Sequence, residues 1–383
     1  MQNREAVIVE AVRTPIGKRN GSLSGIHPVD LSAVVLKELA RRTGVDPVTV
    51  DDVVWGCVTQ LGDQSSNVGR FAVLAAGWPE SVPAVTVNRA CGSGQQAIES
   101  AAHAVISGAY EIAVAGGVES MSRIPLGAAR ATGFPYGQTV LDRYETDHLD
   151  QGTGAEIISA QWGLTRAMLD EYASRSHRLA GEAIDSGAFD AQLVKVDTVD
   201  GKLEVDEGLR RGTTPETLAK LKPSFREDGV IHAGNASQIS DGAAAVMIMT
   251  AQKAKELGLT PIVRIVAGSV AGDDPVKMLT APIPATKKLL ARTGLSIGDI
   301  GAIEINEAFA PVPLAWQAEL GADLDRINPL GGAIAMGHPL GATGAILTTK
   351  LIHHMRDQGH RYGLQTICEG GGTANATIYE LIE

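Results

Sequence analysis

Short apolar runs alternate along this chain with longer stretches whose apolar residues recur at helical spacing, a pattern that predicts an α/β fold. Ala6-Val7-Ile8-Val9, Val53-Val54-Trp55, Ala84-Val85-Thr86-Val87, Ile112-Ala113-Val114-Ala115 and Leu364-Gln365-Thr366-Ile367 have the length of strands. After Cys91 the period changes. Ala97, Ile98, Ala101, Ala102, Val105 and Ile106 fall at i, i+4 and i+8, which predicts a helix burying that set and ending at Gly108. A second helix is expected from about Leu340 through Ile346, Leu347, Leu351 and Ile352, and a more polar one from about Thr165 to Ser186.

The same series of signals occurs twice. Thr43-Gly44-Val45 leads toward Asp52-Val53-Val54-Trp55-Gly56 as Thr293-Gly294-Leu295 leads toward Ile300-Gly301-Ala302-Ile303-Glu304. Each copy then has a glycine-rich strand-to-helix turn, at Cys91 and at His338, and each ends in a strand running into glycines. An offset of about 250 residues with small indels is what a duplicated βα unit leaves after divergence. Two halves packed about a pseudo-twofold axis would bring both helix starts to one cleft.

Residues 119–238 read differently. Gly133-Phe134-Pro135-Tyr136-Gly137 marks turns, and Arg210, Arg211, Lys220, Lys222 and Arg226 make a locally basic stretch, suited to a phosphorylated small molecule or to a solvated loop face. With 383 residues the chain exceeds the ~150 usual for one domain, so two core units and an insertion are expected. Abundant glycine (44 residues) and few aromatics (4%) suit close packing of helices on sheets. A net charge of -11 argues against nucleic acid or an anionic membrane as partner. The sequence from Met1 enters a strand-like run with no apolar stretch long enough for a signal peptide or membrane span, so a cytoplasmic protein is expected. Cys57, Cys91 and Cys368 are widely and unequally spaced, which fits neither a disulfide framework nor a zinc site.

Cys91 stands where a strand gives way to a helix. Backbone N–H groups there carry partial positive charge, so the thiol is expected to ionise more easily and an oxyanion beside it to meet donors. Gly92-Ser93-Gly94-Gln95-Gln96-Ala97 also fits a dinucleotide fingerprint, weakly: the first glycine is separated from the strand, and no acidic residue closes the next one. Cys57 reads as core. His338, before Pro339, is held extended, and an imidazole titrating near working pH would accept a thiol proton and then donate to an oxyanion. Cys368 leads into Gly370-Gly371-Gly372, whose N–H groups could line an oxyanion hole, and Asn306 adds an amide at a third strand end that could fix a water. The blander readings are a structural thiol and an idle turn histidine.

Asn88-Arg89-Ala90-Cys91-Gly92-Ser93-Gly94, Asn306-Glu307-Ala308-Phe309-Ala310, Gly337-His338-Pro339-Leu340-Gly341 and Cys368-x-Gly-Gly-Gly stand in the order and approximate spacing of the thiolase family. The chain resembles that family over essentially its whole length. The resemblance implies duplicated βαβαβαββ halves in a layered αβαβα core, with 1–118 plus 239–259 as the first half, 119–238 as a CoA-binding loop insertion and 260–383 as the second half. It implies an acetyl-CoA C-acyltransferase that cleaves 3-ketoacyl-CoA with CoA, in fatty-acid or steroid side-chain β-oxidation. Cys91 would carry the acyl group, His338 would activate it, and Asn306 would hold a water at the enolate oxygen. Cys368 would be the acid/base, and the N–H groups of Cys91 and Gly370 would cradle the thioester oxygen. Coenzyme A would be a co-substrate, met by Arg210, Thr217, Phe225, Ala233, Ser237 and Phe309, with no metal or resident cofactor.

A homodimer or homotetramer is also implied, with a hydratase/dehydrogenase of β-oxidation as a possible partner. Gln151, Gln238 and Glu369 depart from the family pattern, the first two on the acyl side, and the Ser237-Gln238-Ile239-Ser240-Asp241 variant resembles thiolases of bulky chains. Alternatives are a biosynthetic acetoacetyl-CoA thiolase, a decarboxylating ketoacyl synthase, disfavoured by Asn306 where those enzymes carry a histidine, and a non-catalytic acyl-CoA-binding relative.

Overall fold

The computed structural model describes residues 4–382; the lead-in Met1–Asn3 and the terminal Glu383 lie outside the described residues. Its main strands are β1 (Ala6–Arg13), β2 (Asp52–Gly56), β3 (Ala84–Val87), β4 (Ile112–Ser120), β5 (Ser240–Thr250), β6 (Val263–Gly272), β7 (Ala302–Ile305), β8 (Tyr362–Glu369) and β9 (Thr373–Leu381). With the two-residue strand Gly17–Lys18 they join in the order β7-β8-β9-β6-β1-β5-β4-β2-β3. Outward from the centre, one side runs β1-β5-β4-β2-β3 and the other β6-β9-β8-β7. β2 is parallel to β3 and β4, and β7 is parallel to β8, while β5 and β9 are antiparallel to their neighbours. A parallel bridge from Ile303 to Ile327 stands where the second side lacks a fifth strand. The duplicated pattern in the sequence is thus a duplicated topology, joined where Val7 and Ile8 of β1 meet Arg264 and Val263 of β6.

Helices complete the layers. α1 (Pro28–Thr43) and α2 (Val68–Ala75) cover the outer face of the first set of strands, and α4 (Pro282–Thr293) that of the second, with α5 (Pro311–Leu320) packed on α4. Between the two sets lie α3 (Ser93–Ser107) and α6 (Leu340–Gln358), giving the αβαβα order. α6 is buried on nearly every face, which its uninterrupted run of small and apolar residues allows. α3 buries Ala97, Ile98, Ala101, Ala102 and Val105 and is capped by Gly108 at φ 85, but Ile106 is exposed although Val105 beside it is fully buried, which puts it at the edge of the covered face.

The contact between α3 and α6 is made by backbone. A methyl added at Gly94 would come within 2.9 Å of Gly341 O and Ala345 N, and one at Gly56 within 2.6 Å of Gly94 N and 2.7 Å of Gly341 O. A methyl on Gly344 would overlap the backbone nitrogen of Gln95. Glycine is required here because no side chain fits between the two helix starts.

The segment between β4 and β5 carries helices Gln151–Gln161 and Arg166–Asp185, the latter capped by Thr165. It is tied to the core by two buried polar groups. Arg13 of β1 pairs with Asp206 at 2.7 Å, both side chains fully buried. Glu307 accepts from Tyr172 Oη at 3.0 Å, Ser176 Oγ at 2.7 Å, Asn328 Nδ2 at 3.0 Å and Ile334 N at 3.1 Å. No helix among the described residues is long and apolar enough to cross a membrane.

Gly344→Ala is expected to destabilise the protein by about 1–3 kcal/mol, the usual cost of overpacking a core contact. Urea unfolding reads this directly; a midpoint equal to that of the wild type would mean that the helices separate without cost.

Candidate active site

Cys91 lies between β3 and α3 on a turn under strain. Ala90 before it has φ 43, a left-handed conformation that a residue with a Cβ adopts at a cost of about 1–2 kcal/mol. Side chains hold the turn: Asn88 Oδ1 accepts from Ala90 N at 2.8 Å, and Ser93 Oγ accepts from Arg89 N at 2.9 Å while donating to Ala90 O at 2.6 Å. Cys91 is buried in a cluster with Met121, Leu340, Leu347 and Ile367. Leu340 is the first residue of α6, so the nucleophile candidate packs against the start of the helix that follows His338.

The surroundings invert the electrostatics expected from the helix start. Burial pushes the Cys91 thiol up to about 12, helped by the charge of Glu369; its own N–H and that of Gly370 pull the other way. Both N–H groups bear on the sulfur, where the sequence placed an oxyanion hole, but desolvation wins. Cys368, at the end of β8, is also buried, and desolvation, then Cys91, then Glu369 raise its thiol well above the usual value. Gly371 and Gly372, at φ 89 and 78, turn the chain after Cys368 in conformations that side chains rarely adopt.

His338 is buried too. Its Nδ1 lies 2.7 Å from Thr343 Oγ1, and that hydroxyl donates its one proton to Pro339 O at 2.9 Å. With the Asn306 amide nitrogen, which can only donate, at Nε2, the ring proton is assigned to Nδ1 and Nε2 is the acceptor. Asn306 Nδ2, at 3.3 Å, donates to Nε2, while Asn306 Oδ1 is buried with no partner among the described residues. Burial lowers the imidazole to about 4, not to the working pH that the sequence suggests.

Glu369 alternates away from Cys368 along the strand and turns beneath Gly92, where a methyl would collide with its Oε1. Thr373 Oγ1 donates to its Oε2 at 2.6 Å, and burial raises its carboxyl to about 7. Among the charges around Cys91, that of Glu369 does most to raise its thiol, so the acid bears more on Cys91 than Glu119 does.

Cys91, Gly370 and Cys368 thus stand together, and the buried pair His338 and Asn306 adjoins them through Leu340, two residues after His338 and in the Cys91 cluster; the predicted ligand contacts continue only in part from this site. Ser237 N donates to Ala308 O at 3.0 Å, beside Phe309, and Phe225 stands edge-on to Phe309 at 5.9 Å. Arg210, Thr217 and Ala233 are exposed at the surface. Arg210 lines a groove with Ser174, His177, Arg178, Thr213 and Thr214, while Arg211 of the basic stretch is paired with Asp185 at 2.6 Å. Gln151 leans into the site: its Nε2 is 3.7 Å from where a Cβ on Gly370 would stand. Gln238 does not offer its amide to an acyl chain, because that amide is bonded to backbone carbonyls.

Three supporting residues escaped the sequence reading. Thr343 sets the tautomer of His338. Glu119 accepts from Val58 N, Thr59 N, Gln64 Nε2 and Gly341 N at 2.9–3.0 Å, tying the start of α6 to the first half, as Glu307 ties the second half to the insertion. The usable signal was an acid closing an otherwise apolar strand, since a buried carboxylate needs several donors; Thr343 carried none.

The chain matches the family models for the thiolase N-terminal domain over residues 6–252 and the thiolase C-terminal domain over residues 259–381. It is 49% identical to steroid 3-ketoacyl-CoA thiolase FadA6 of Mycobacterium tuberculosis, covering 98% of this chain and 94% of that one. It is 40% identical to the 3-ketoacyl-CoA thiolase of Bacillus subtilis, covering 99% and 100%. The crystal structure of the Bacillus anthracis acetyl-CoA acetyltransferase superimposes with a TM-score of 0.91 at 42% identity, covering 99% of each chain. With both halves matched and the fold shared, this chain belongs to the thiolase family of acyltransferases.

Proposed function

We propose that the protein is a degradative thiolase that cleaves a 3-ketoacyl-CoA with CoA to acetyl-CoA and a shortened acyl-CoA. The observation that carries this reading is the meeting of two buried thiols with a histidine whose bare Nε2 is fixed by Thr343 and Asn306. In the first half-reaction Cys91 gives its proton to His338 Nε2 and its sulfur attacks the keto carbon. The bond between that carbon and the α-carbon breaks, and the pair of electrons enters the enolate of acetyl-CoA. His338, now protonated on Nε2, and Asn306 stabilise the enolate oxygen, and Cys368 protonates its carbon. In the second half-reaction the Cys368 thiolate takes the proton of incoming CoA, whose sulfur attacks the acyl carbon; the bond to Cys91 breaks, and the leaving Cys91 thiolate takes its proton back from His338 Nε2. The N–H groups of Cys91 and Gly370 stabilise the oxyanion of that step.

CoA serves as co-substrate. We assign its pantetheine arm to Phe309, Ser237 and Ala233, and its nucleotide to Phe225, Thr217 and Arg210 on the 119–238 insertion between the halves 1–118 plus 239–259 and 260–383. On the acyl side, the amide of Gln151 beside Gly370 supports a substrate with more than a short apolar chain, in line with a relative named for steroid substrates. The alternative, condensation of two acetyl-CoA, uses the same groups in reverse and is favoured by the structural neighbour named acetyl-CoA acetyltransferase. We further propose that two copies pair through β3, an edge strand with Val85 exposed and with Phe71 and Leu74 exposed on the adjoining α2.

Thiolysis of a panel of 3-ketoacyl-CoAs, from acetoacetyl to long-chain and steroidal, is expected to give a kcat/KM that rises with acyl bulk and is abolished in Cys91→Ser. Best activity on acetoacetyl-CoA would favour the biosynthetic reading, and turnover by Cys91→Ser would reject the nucleophile. Burial disfavours the imidazolium, so neutral His338 persists as pH falls, and the acid limb of kcat/KM that belongs to it is expected near 4. A limb near 6.5 that vanishes in His338→Asn would contradict a buried base. Sedimentation equilibrium at micromolar concentration is expected to return a dimer or larger; monomer alone would exclude pairing through β3.

A further inference from the structure

Gln238 is one of the chain's departures from the family pattern, and the acyl pocket does not account for it. Its Nε2 donates to three backbone carbonyls: Gly208 O at 2.8 Å, Ile334 O at 2.8 Å and Ala335 O at 3.0 Å. An amide nitrogen has two protons, so one of them is shared. The main chain of the same residue reaches the histidine, because Gln238 O accepts from His338 N at 3.1 Å. Ser240 Oγ, which donates to Gln238 O at 3.0 Å, accepts from the same N–H at 3.3 Å.

These bonds fall on the weakest part of the site. The turn before His338 is a four-residue helix, Ala333–Met336, too short to satisfy its own last carbonyls, followed by Gly337 at φ 117. Ala333, Ile334, Ala335 and Met336 are all buried, so solvent does not compensate those carbonyls. The peptide at Gly208 lies against the same turn, since a methyl there would come within 2.5 Å of Met336 O. A glycine at 238 would leave Ile334 O and Ala335 O without this donor.

We propose that Gln238 is a positioning residue: it clamps the turn that presents His338, so that Nε2 stays in reach of Cys91. The proposal rests on the reading of His338 as the base. Loss of the clamp lets the turn relax by a fraction of an ångström to about 1 Å, and misplacement of that size costs up to about 100-fold in rate.

The test is Gln238→Met, which keeps the length and volume of the side chain and removes its N–H donors, with His338→Asn as reference. The readouts are the rate of Cys91 alkylation by iodoacetamide against pH, thiolysis kcat, and the KM for CoA. Gln238→Met is expected to lower kcat by about 10- to 100-fold, to slow alkylation at neutral pH, and to move its pH profile toward that of His338→Asn, with KM for CoA within about twofold. Gln238→Glu, which faces the three carbonyls with a carboxylate, is expected to be slower still; should it fail to fold, Gln238→Met decides. Wild-type alkylation and turnover in Gln238→Met, with both slowed in His338→Asn, would overturn the clamp alone. A rise in KM equal to the fall in kcat would reduce Gln238 to general support and overturn it as well. Wild-type alkylation in His338→Asn would instead overturn the base.

Discussion

The site depends on one contact: the start of α3 packed against the start of α6 with only backbone between them. Gly94, Gly341 and Gly344 make that approach, and Gly56 on the adjoining strand makes room for it. Cys91 precedes one helix and His338 the other, so the separation of thiol and imidazole is set by how closely two helix axes can come. Side chains at such a contact can change rotamer, whereas backbone atoms at van der Waals distance cannot shift without moving whole helices. A chain of two duplicated halves thereby obtains a rigid site from residues about 250 positions apart, with Glu119 and Glu307 pinning the ends that the glycines leave loose.

Burial governs the chemistry of the groups so assembled. Desolvation is the largest influence on both thiols and on the histidine, and in each case it favours the neutral form. The resting site is then a set of uncharged proton carriers. Charge appears only when a proton crosses from sulfur to nitrogen, and at that moment the donors converging on it are already in place, which is how preorganised sites lower a barrier. The helix start contributes through specific N–H groups on the sulfur, and its dipole does not outweigh the dry surroundings.

Much of this was legible in the sequence. Strand-length apolar runs, helical spacing after Cys91 and the repeated order of signals led to an α/β fold of two halves, because each is a local pattern that tertiary packing preserves; the order of the layers came from the family resemblance. The positions of Cys91, His338, Cys368 and Asn306 were readable because glycines and strand ends mark them. The sign of the shift at Cys91 was not, since it depends on Met121, Leu340, Leu347 and Ile367, which come from three distant segments. Nor was the use of Gln238, whose three acceptors lie 30 to 97 residues away. Ile106 kept the helical spacing and still faces solvent, because spacing identifies a face and not how far around the helix its neighbours reach.

Thr343 has a consequence beyond orientation. Its single proton is committed to Pro339 O, so the hydroxyl can only accept from His338 Nδ1. The imidazole then has one exchangeable edge: whatever proton Nε2 takes up must leave through Nε2, on the side of the cleft. The histidine is a dead-end store and not a relay to solvent. Within a turnover the proton that Nε2 lifts from the sulfur of Cys91 is the proton it has to give back on that same side.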